Sequence, residues 1–223
     1  MRTWIEGSQP LYARVVDAND GIIATAGLLE GFAGAGANGS VLLLAATAAT
    51  VAGSLSMGGA KWTEEAADRE TRLTLANQEA AQLSANPDDE LAELTSYWEQ
   101  KGLSPETAAE VARQLSARDA LSAQLESEHG IDELPSAFVP VQDGIAAAVS
   151  FAVGALIPLL ITVLVPGALE APAILAAVIV SLTITSFIAS RSETLSFRRV
   201  LLRSLAVGVG TTLVGYGVGN LLF

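Results

Sequence analysis

Long apolar runs separated by short polar breaks occupy both ends of the chain, and a charged pattern of helical period fills its middle. A helix crosses the hydrocarbon core of a bilayer with roughly 20 apolar residues. Five runs have that length: residues 17–37, 40–60, 139–165, 171–190 and 200–223. The first is the least apolar, because it holds Asp17, Asp20 and Glu30 together with five glycines. A carboxylate in mid-membrane costs about 2.5–3.5 kcal/mol on insertion scales, so these acids need a reason. Ahead of them, "MRTWIEGSQPLYARVV" carries Glu6 and Pro10 where a cleavable signal needs an unbroken apolar core. Its Trp4, Ile5, Leu11, Tyr12 and Val15 suggest a short amphipathic helix at the headgroup level.

The middle, residues 61–134, reads as helix throughout. "KWTEEAADRETRLTLANQEAAQLS" has neither Gly nor Pro, so the second span is expected to run straight on into it. "NPDDELAELTSYWEQKG" has a cap position at Asn86, proline at the first helical position, acids in the first turn and a stop at Gly102. "SPETAAEVARQL" repeats that opening at Ser104, and Ser116 with Asp119 can cap another helix ending at Gly130. Leu91, Leu94, Tyr97 and Trp98 recur at helical spacing, as do Val111, Leu115, Leu121 and Leu125. The fold class expected is all-α: a five-span transmembrane helical protein with a small cytosolic helical bundle inserted after the second span. Its divisions are 1–60 (amphipathic segment, spans one and two), 61–134 (acidic helical insert) and 135–223 (spans three to five).

Composition sharpens this division. The 223 residues are 51% hydrophobic yet carry a net charge of −12, which fits a single soluble domain poorly. The acids crowd between Glu64 and Glu133. So acidic a balance points to cations as partners and away from nucleic acid. Cysteine is absent, which excludes disulfides and thiolate metal sites. Cations also orient the spans. Arg2, Arg14, Lys61, Arg69, Arg72, Arg191, Arg198 and Arg199 fall in loops on one side, while "GANGS" and "PGALEAP" hold none. By the positive-inside tendency the N-terminus and insert are cytosolic and the C-terminus lies opposite.

Several residues carry candidate chemistry. Asp20, in "NDG", is either an ion ligand and proton acceptor or an N-cap residue; Asp17 and Asn19 could cap equally well. Glu30 lies ten residues further on, too deep for capping. Met57, in "GSLSMGG", offers a thioether suited to a soft transition metal, or simply fills space. Glu64 and Asp68 share a helical face with Glu65 beside it, either a cation-attracting surface or a solvated one. Glu126 and His129 form an E-x-x-H, half of a di-iron carboxylate motif, and His129 also suits a helix end. Asp143, in "QDGIAAA", either lines an entrance or caps the third span. Gly27/Gly31 and Gly215/Gly219 are GxxxG pairs that allow close helix approach. No nucleophile–base set, P-loop or dinucleotide fingerprint is present, so an enzyme is not expected.

"DANDGIIATAGLLEGFAGA", "GSLSMGGAKW" and "VSFAVGALIPLL" resemble the first three spans of the vacuolar iron transporter family, and "RDALSAQLESEHGI" resembles its last insert helix. The likeness is strongest at Asn19-Asp20-Gly21 and Ser56-Met57. It implies a homodimer that exports Fe2+, and second Mn2+, from the cytosol in exchange for protons, with no tightly bound cofactor. Asp20, Met57, Glu30 and Asn19 would form the transport site, and Glu64, Glu65, Asp68, Glu126 and Glu128 would attract or bind metal on the cytosolic side. Two positions depart from the family pattern: Lys61 and Arg72 stand where it has metal-binding glutamates. The host membrane would be the plasma membrane in a bacterium and a vacuole-type membrane in a eukaryote. The alternative is a non-transporting scaffold or sensor of the same descent, whose insert binds a partner.

Overall fold

The computed structural model describes residues 9–165, 167–192 and 196–222, and all seven of the elements it contains there are helices. They are α1 (Gln9–Gly34), α2 (Gly39–Ala85), α3 (Pro87–Gln100), α4 (Pro105–His129), α5 (Val139–Leu164), α6 (Gly167–Ser192) and α7 (Phe197–Leu222). The chain divides into two compact units, residues 1–62 with 141–223 and residues 63–140.

Among the described residues, four helices are long and apolar enough to cross a membrane: α2, α5, α6 and α7. With Arg14, Asp17, Asp20 and Glu30 along its length, α1 falls outside that composition. Leu11, Tyr12 and Val15 belong to α1 itself, so the short separate helix expected there gives way to one unbroken helix; Trp4 and Ile5 lie outside the described residues.

The first unit is assembled by small residues. Apolar side chains gain little by leaving lipid for one another, so close van der Waals approach must hold such helices together. A Cβ on Gly154 would stand 1.9 Å from the Ala18 carbonyl oxygen, and one on Gly21 would stand 2.1 Å from that of Phe151, so α1 and α5 meet backbone to backbone. Further along α1, Gly27 and Gly31 meet Gly215 and Gly219 of α7 in the same manner, which joins the two GxxxG pairs. Gly58 of α2 and Gly144 of α5 complete the set. Ile22, Ala26 and Leu29 of α1 form one buried cluster with Leu42 and Ala46 of α2 and Ile174, Val178 and Leu182 of α6. Large apolar side chains point outward, including Leu44, Leu55, Val149, Val153 and Leu160. Several hydroxyls on these helices are satisfied internally: Thr50, Ser54, Ser150 and Thr212 each donate to the carbonyl four residues back, whereas those of buried Thr25 and Ser186 have no partner.

The second unit is a small bundle with the end of α2, α3 and α4 around Ala76, Leu94, Leu125 and Ile131. Its boundaries follow local chemistry. Pro87 opens α3, with Asn86 as its N-cap; the Asn86 side chain makes no capping bond, and its backbone carbonyl accepts from the Glu90 amide. Ser104 caps α4 by accepting from the Thr107 amide at 3.4 Å. Asp119 leaves helical geometry (φ −162°, ψ 93°) and restarts α4 by accepting from the Ser122 amide at 3.1 Å and hydroxyl at 2.7 Å. Gly130 ends α4 at φ +64°, where its amide donates to Glu126 and that of Ile131 to Leu125.

Candidate functional site

In the first unit the acids of α1 lie well inside the helix. Asp20 is the twelfth residue of α1, far from its start, so the capping alternative for Asp20 does not hold. Its side chain is exposed on the single chain, next to Gly21, where α1 touches α5. Asn19 is half-buried and its Oδ1 has no hydrogen-bond partner. Met57 is half-buried on α2, one residue before the Gly58–Gly144 contact with α5. Asp20 and Met57 therefore stand on two helices that pack on the same third helix. Their neighbouring contacts on α5, at Phe151 and Gly144, are seven residues apart, about 10 Å of helix.

Asp143 is held rather than open. Arg14 donates to its carboxylate and, at 3.3 Å, to its carbonyl oxygen, and also reaches Asp17 at 3.5 Å. One guanidinium thus bridges the two acids at the start of α5 and in the first turns of α1 and offsets part of their charge. That leaves Asp20 as the acid at this end without an ion pair among the described residues. Glu30 lies elsewhere: it is 4% exposed, ten residues further along α1.

In the second unit, three helices converge their acids. Glu79 of α2 is 1% exposed and Glu90 of α3 is 4% exposed, both deep for carboxylates. The ligand atoms of Glu79, Glu128 and His129 lie within 4.8 Å of one another, and so do those of Glu90, Glu93 and Glu128. Glu128 belongs to both triads. His129 Nε2 stands 3.8 Å from Glu79 and 4.0 Å from Glu128. Gln124, itself buried, donates to the Glu90 carbonyl and carboxylate and fixes α3 against α4. Burial, then the Glu128 charge, raises the Glu79 carboxyl to about pKa 7. Burial, then Glu93, raises Glu128 as well. Oxygen donors with one imidazole suit a first-row divalent cation, and such a cation would relieve the repulsion that raises both acids.

Of the residues expected on this side, Glu128 joins the cluster. Glu126 is exposed and belongs to neither triad, and Asp68 is exposed and bonded to Arg72 at 2.8 Å. Glu64 is exposed and Glu65 half-buried on the same helix, outside both triads. The E-x-x-H pattern brings in His129 without Glu126. Glu79, Glu90 and Glu93 were missed by sequence reasoning, although a signal was present. Glu79 stands three and four residues after Ala76 and Leu75, and Glu90 stands four before Leu94, so each acid occupies a position in an apolar stripe.

The sequence model of the VIT family matches residues 11–220. Among curated proteins, "Vacuolar iron transporter" of Acanthamoeba castellanii is 36% identical over 156 residues, 70% of this chain and 56% of that protein. "Vacuolar iron transporter 1" of Arabidopsis thaliana is 26% identical over 170 residues, 75% of this chain and 67% of that one. "Vacuolar iron transporter" of Centaurea cyanus is 29% identical over 161 residues, 70% of this chain and 64% of its own length. The match thus spans little more than half of the Acanthamoeba protein.

Proposed function

The chain belongs to the VIT family, and we propose that it is a transporter, not an enzyme, that moves divalent metal out of the cytosol in exchange for protons. Fe2+ is the first substrate and Mn2+ the second. The names of its relatives support iron. The observation that carries the mechanism is the position of Asp20. It is a mid-helix acid, without an ion pair among the described residues, on the outer face of an apolar unit. In lipid that carboxylate would cost several kcal/mol. A second copy of the chain covering α1, with a wet passage between the two, removes that cost, and a homodimer follows. The same arrangement makes α1 a fifth span beside the four apolar ones.

On this reading Asp20 binds metal as a carboxylate and takes a proton when metal leaves, because binding requires the deprotonated form. Asn19 adds an oxygen and Met57 a soft sulfur donor. The acidic cluster built on Glu79 and Glu128 gathers cations in the helical insert on the cytosolic side, along with Glu64, Glu65 and Asp68. Arg14 engages Asp143 and Asp17, so they shape the mouth and do not compete for metal. The membrane is the plasma membrane in a bacterial host and vacuole-type in a eukaryotic one.

Uptake of Fe2+ into proteoliposomes under a pH gradient tests the reading. Wild type accumulates metal, and Asp20→Asn lowers the rate at least about tenfold, equivalent to a barrier raised by roughly 1.4 kcal/mol or more. Absence of uptake by wild type removes transport. Uptake unchanged by Asp20→Asn keeps transport and removes the proposed role of Asp20.

A further inference from the structure

Two other carboxylates in the apolar unit are buried without partners. Glu30 is 4% exposed and Glu170 is 8% exposed, and Oε1 of each lacks a hydrogen-bond partner. They come from α1 and α6, helices that pack on one another, and each lies within electrostatic reach of the other. Glu30 sits just over one turn before the end of α1 and Glu170 in the first turn of α6. Local structure accounts for neither. A first-turn acid favours a helix N-terminus, but Glu170 Oε1 accepts no backbone N–H. Glu30 is far from the start of its own helix.

This pair is separate from the Asp20 end. Asp20 and Glu30 are ten helical residues apart, about 15 Å along the axis. The seam between them is filled by Ile22, Ala26 and Leu29 packed with Ile174, Val178 and Leu182. Nor does any described helix bring a cation to the pair. The other charges of α1 are Arg14, Asp17 and Asp20, toward its start; α2 holds none before Lys61; α5 holds only Asp143, near its start; α6 otherwise holds only Arg191, near its end. The arginines of α7, namely Arg198, Arg199 and Arg203, occupy its first turns, whereas its contacts with the end of α1 are made by Tyr216 and Gly219. Tyr216 is the other titratable group there. Two unsolvated negative charges with no counter-ion would repel one another in a medium of low dielectric.

We propose that Glu30 and Glu170 form a proton-holding pair at the opposite end of the α1–α6 seam from Asp20, where a proton of the exchange cycle binds. The proton adds to one carboxylate and leaves the pair with a single negative charge. The role in exchange rests on the transporter reading above, whereas the proton itself is measurable without transport.

Infrared difference spectroscopy of the full chain in lipid nanodiscs provides the test. At neutral pH wild type shows a protonated-carboxyl stretch that is missing from E30Q/E170Q, whose amides copy the shape of the protonated acids. In E170Q alone the remaining acid, relieved of its neighbour's charge, titrates at lower pH, with proton affinity reduced about threefold or more. Size-exclusion and circular dichroism establish folding, and if the double variant fails that check, E30Q alone carries the same comparison. A neutral-pH band unchanged by these substitutions overturns the proposal. The band without Fe2+ uptake keeps the pair and removes the transport reading; uptake without the band does the reverse.

Discussion

Arg14 and Asp143, 129 residues apart in the chain, form an ion pair that ties the start of α1 to the start of α5. The contact is half-buried, at 24% and 32% side-chain exposure, and Arg14 also reaches Asp17. Truncating the arginine leaves two carboxylates without their cation at the end of an apolar unit. Arg14→Ala is therefore expected to destabilise the detergent-solubilised chain by about 1–2 kcal/mol. Arg14→Ala combined with Asp143→Asn recovers part of that loss. Thermal unfolding of the four proteins of the double-mutant cycle measures the coupling; strict additivity would show that the pair contributes nothing.

The α1–α5 crossing depends on the absence of a side chain at Gly154. An added methyl would stand 1.9 Å from a backbone oxygen that cannot rotate away. Gly154→Ala is expected to cost about 1–3 kcal/mol through forced separation of the helices, read as a fall in melting temperature or folded yield. Gly217→Ala, where no atom lies within 4 Å, is the control and leaves both within error.

Metal binding by the acidic cluster carries its own pH signature. The Glu79 carboxyl is raised to about pKa 7 by burial first and by the Glu128 charge second. Below that pH it holds a proton that an incoming cation must displace; above it the carboxylate is ready to ligate. The affinity of the full chain for Mn2+ therefore rises from about pH 6 to about pH 8. Glu79→Gln weakens binding about tenfold or more and flattens the dependence. Calorimetric titration at several pH values checks both, and a wild-type affinity that fell with rising pH would contradict the assignment.

Asp119 holds the break in α4. Hydrogen bonds from the Ser122 amide and hydroxyl keep its carboxyl below the usual range, so it is ionised and capping at neutral pH. That support is present above the ordinary aspartate pKa and is lost as pH falls through the lowered one. Asp119→Ala is expected to cost about 1 kcal/mol at neutral pH, and Asp119→Asn only a fraction of it. Helical content and melting of the full chain report the difference.

Within the insert, the positions at which helices begin, break and end are legible in the sequence. Ser104, Asp119 and Gly130 act through bonds to their own neighbours, Pro87 through its fixed φ and missing N–H, and the Gly- and Pro-free run after Ala60 lets α2 continue unbroken to Ala85. The Asn19-Asp20-Gly21 and Ser56-Met57 stretches also pointed to the family before any fold was known. The acids were harder. Asp20 reads in the sequence as an ion ligand with a cap as the lesser alternative, and the cap falls because α1 begins at Gln9, eleven residues earlier.

The sequence alone determined the helices of the insert and the split between apolar and acidic stretches, because hydrophobic period and capping act over a few residues. Tertiary structure decided which helices touch: that Arg14 closes on Asp143, that Glu30 shares an end of the seam with Glu170, and that Glu79, Glu90, Glu93 and His129 gather around Glu128. The physical reason is that a carboxylate's meaning depends on what neutralises it. In a helical protein that partner arrives on another helix, through glycine contacts and packed apolar stripes whose pairing no local pattern specifies.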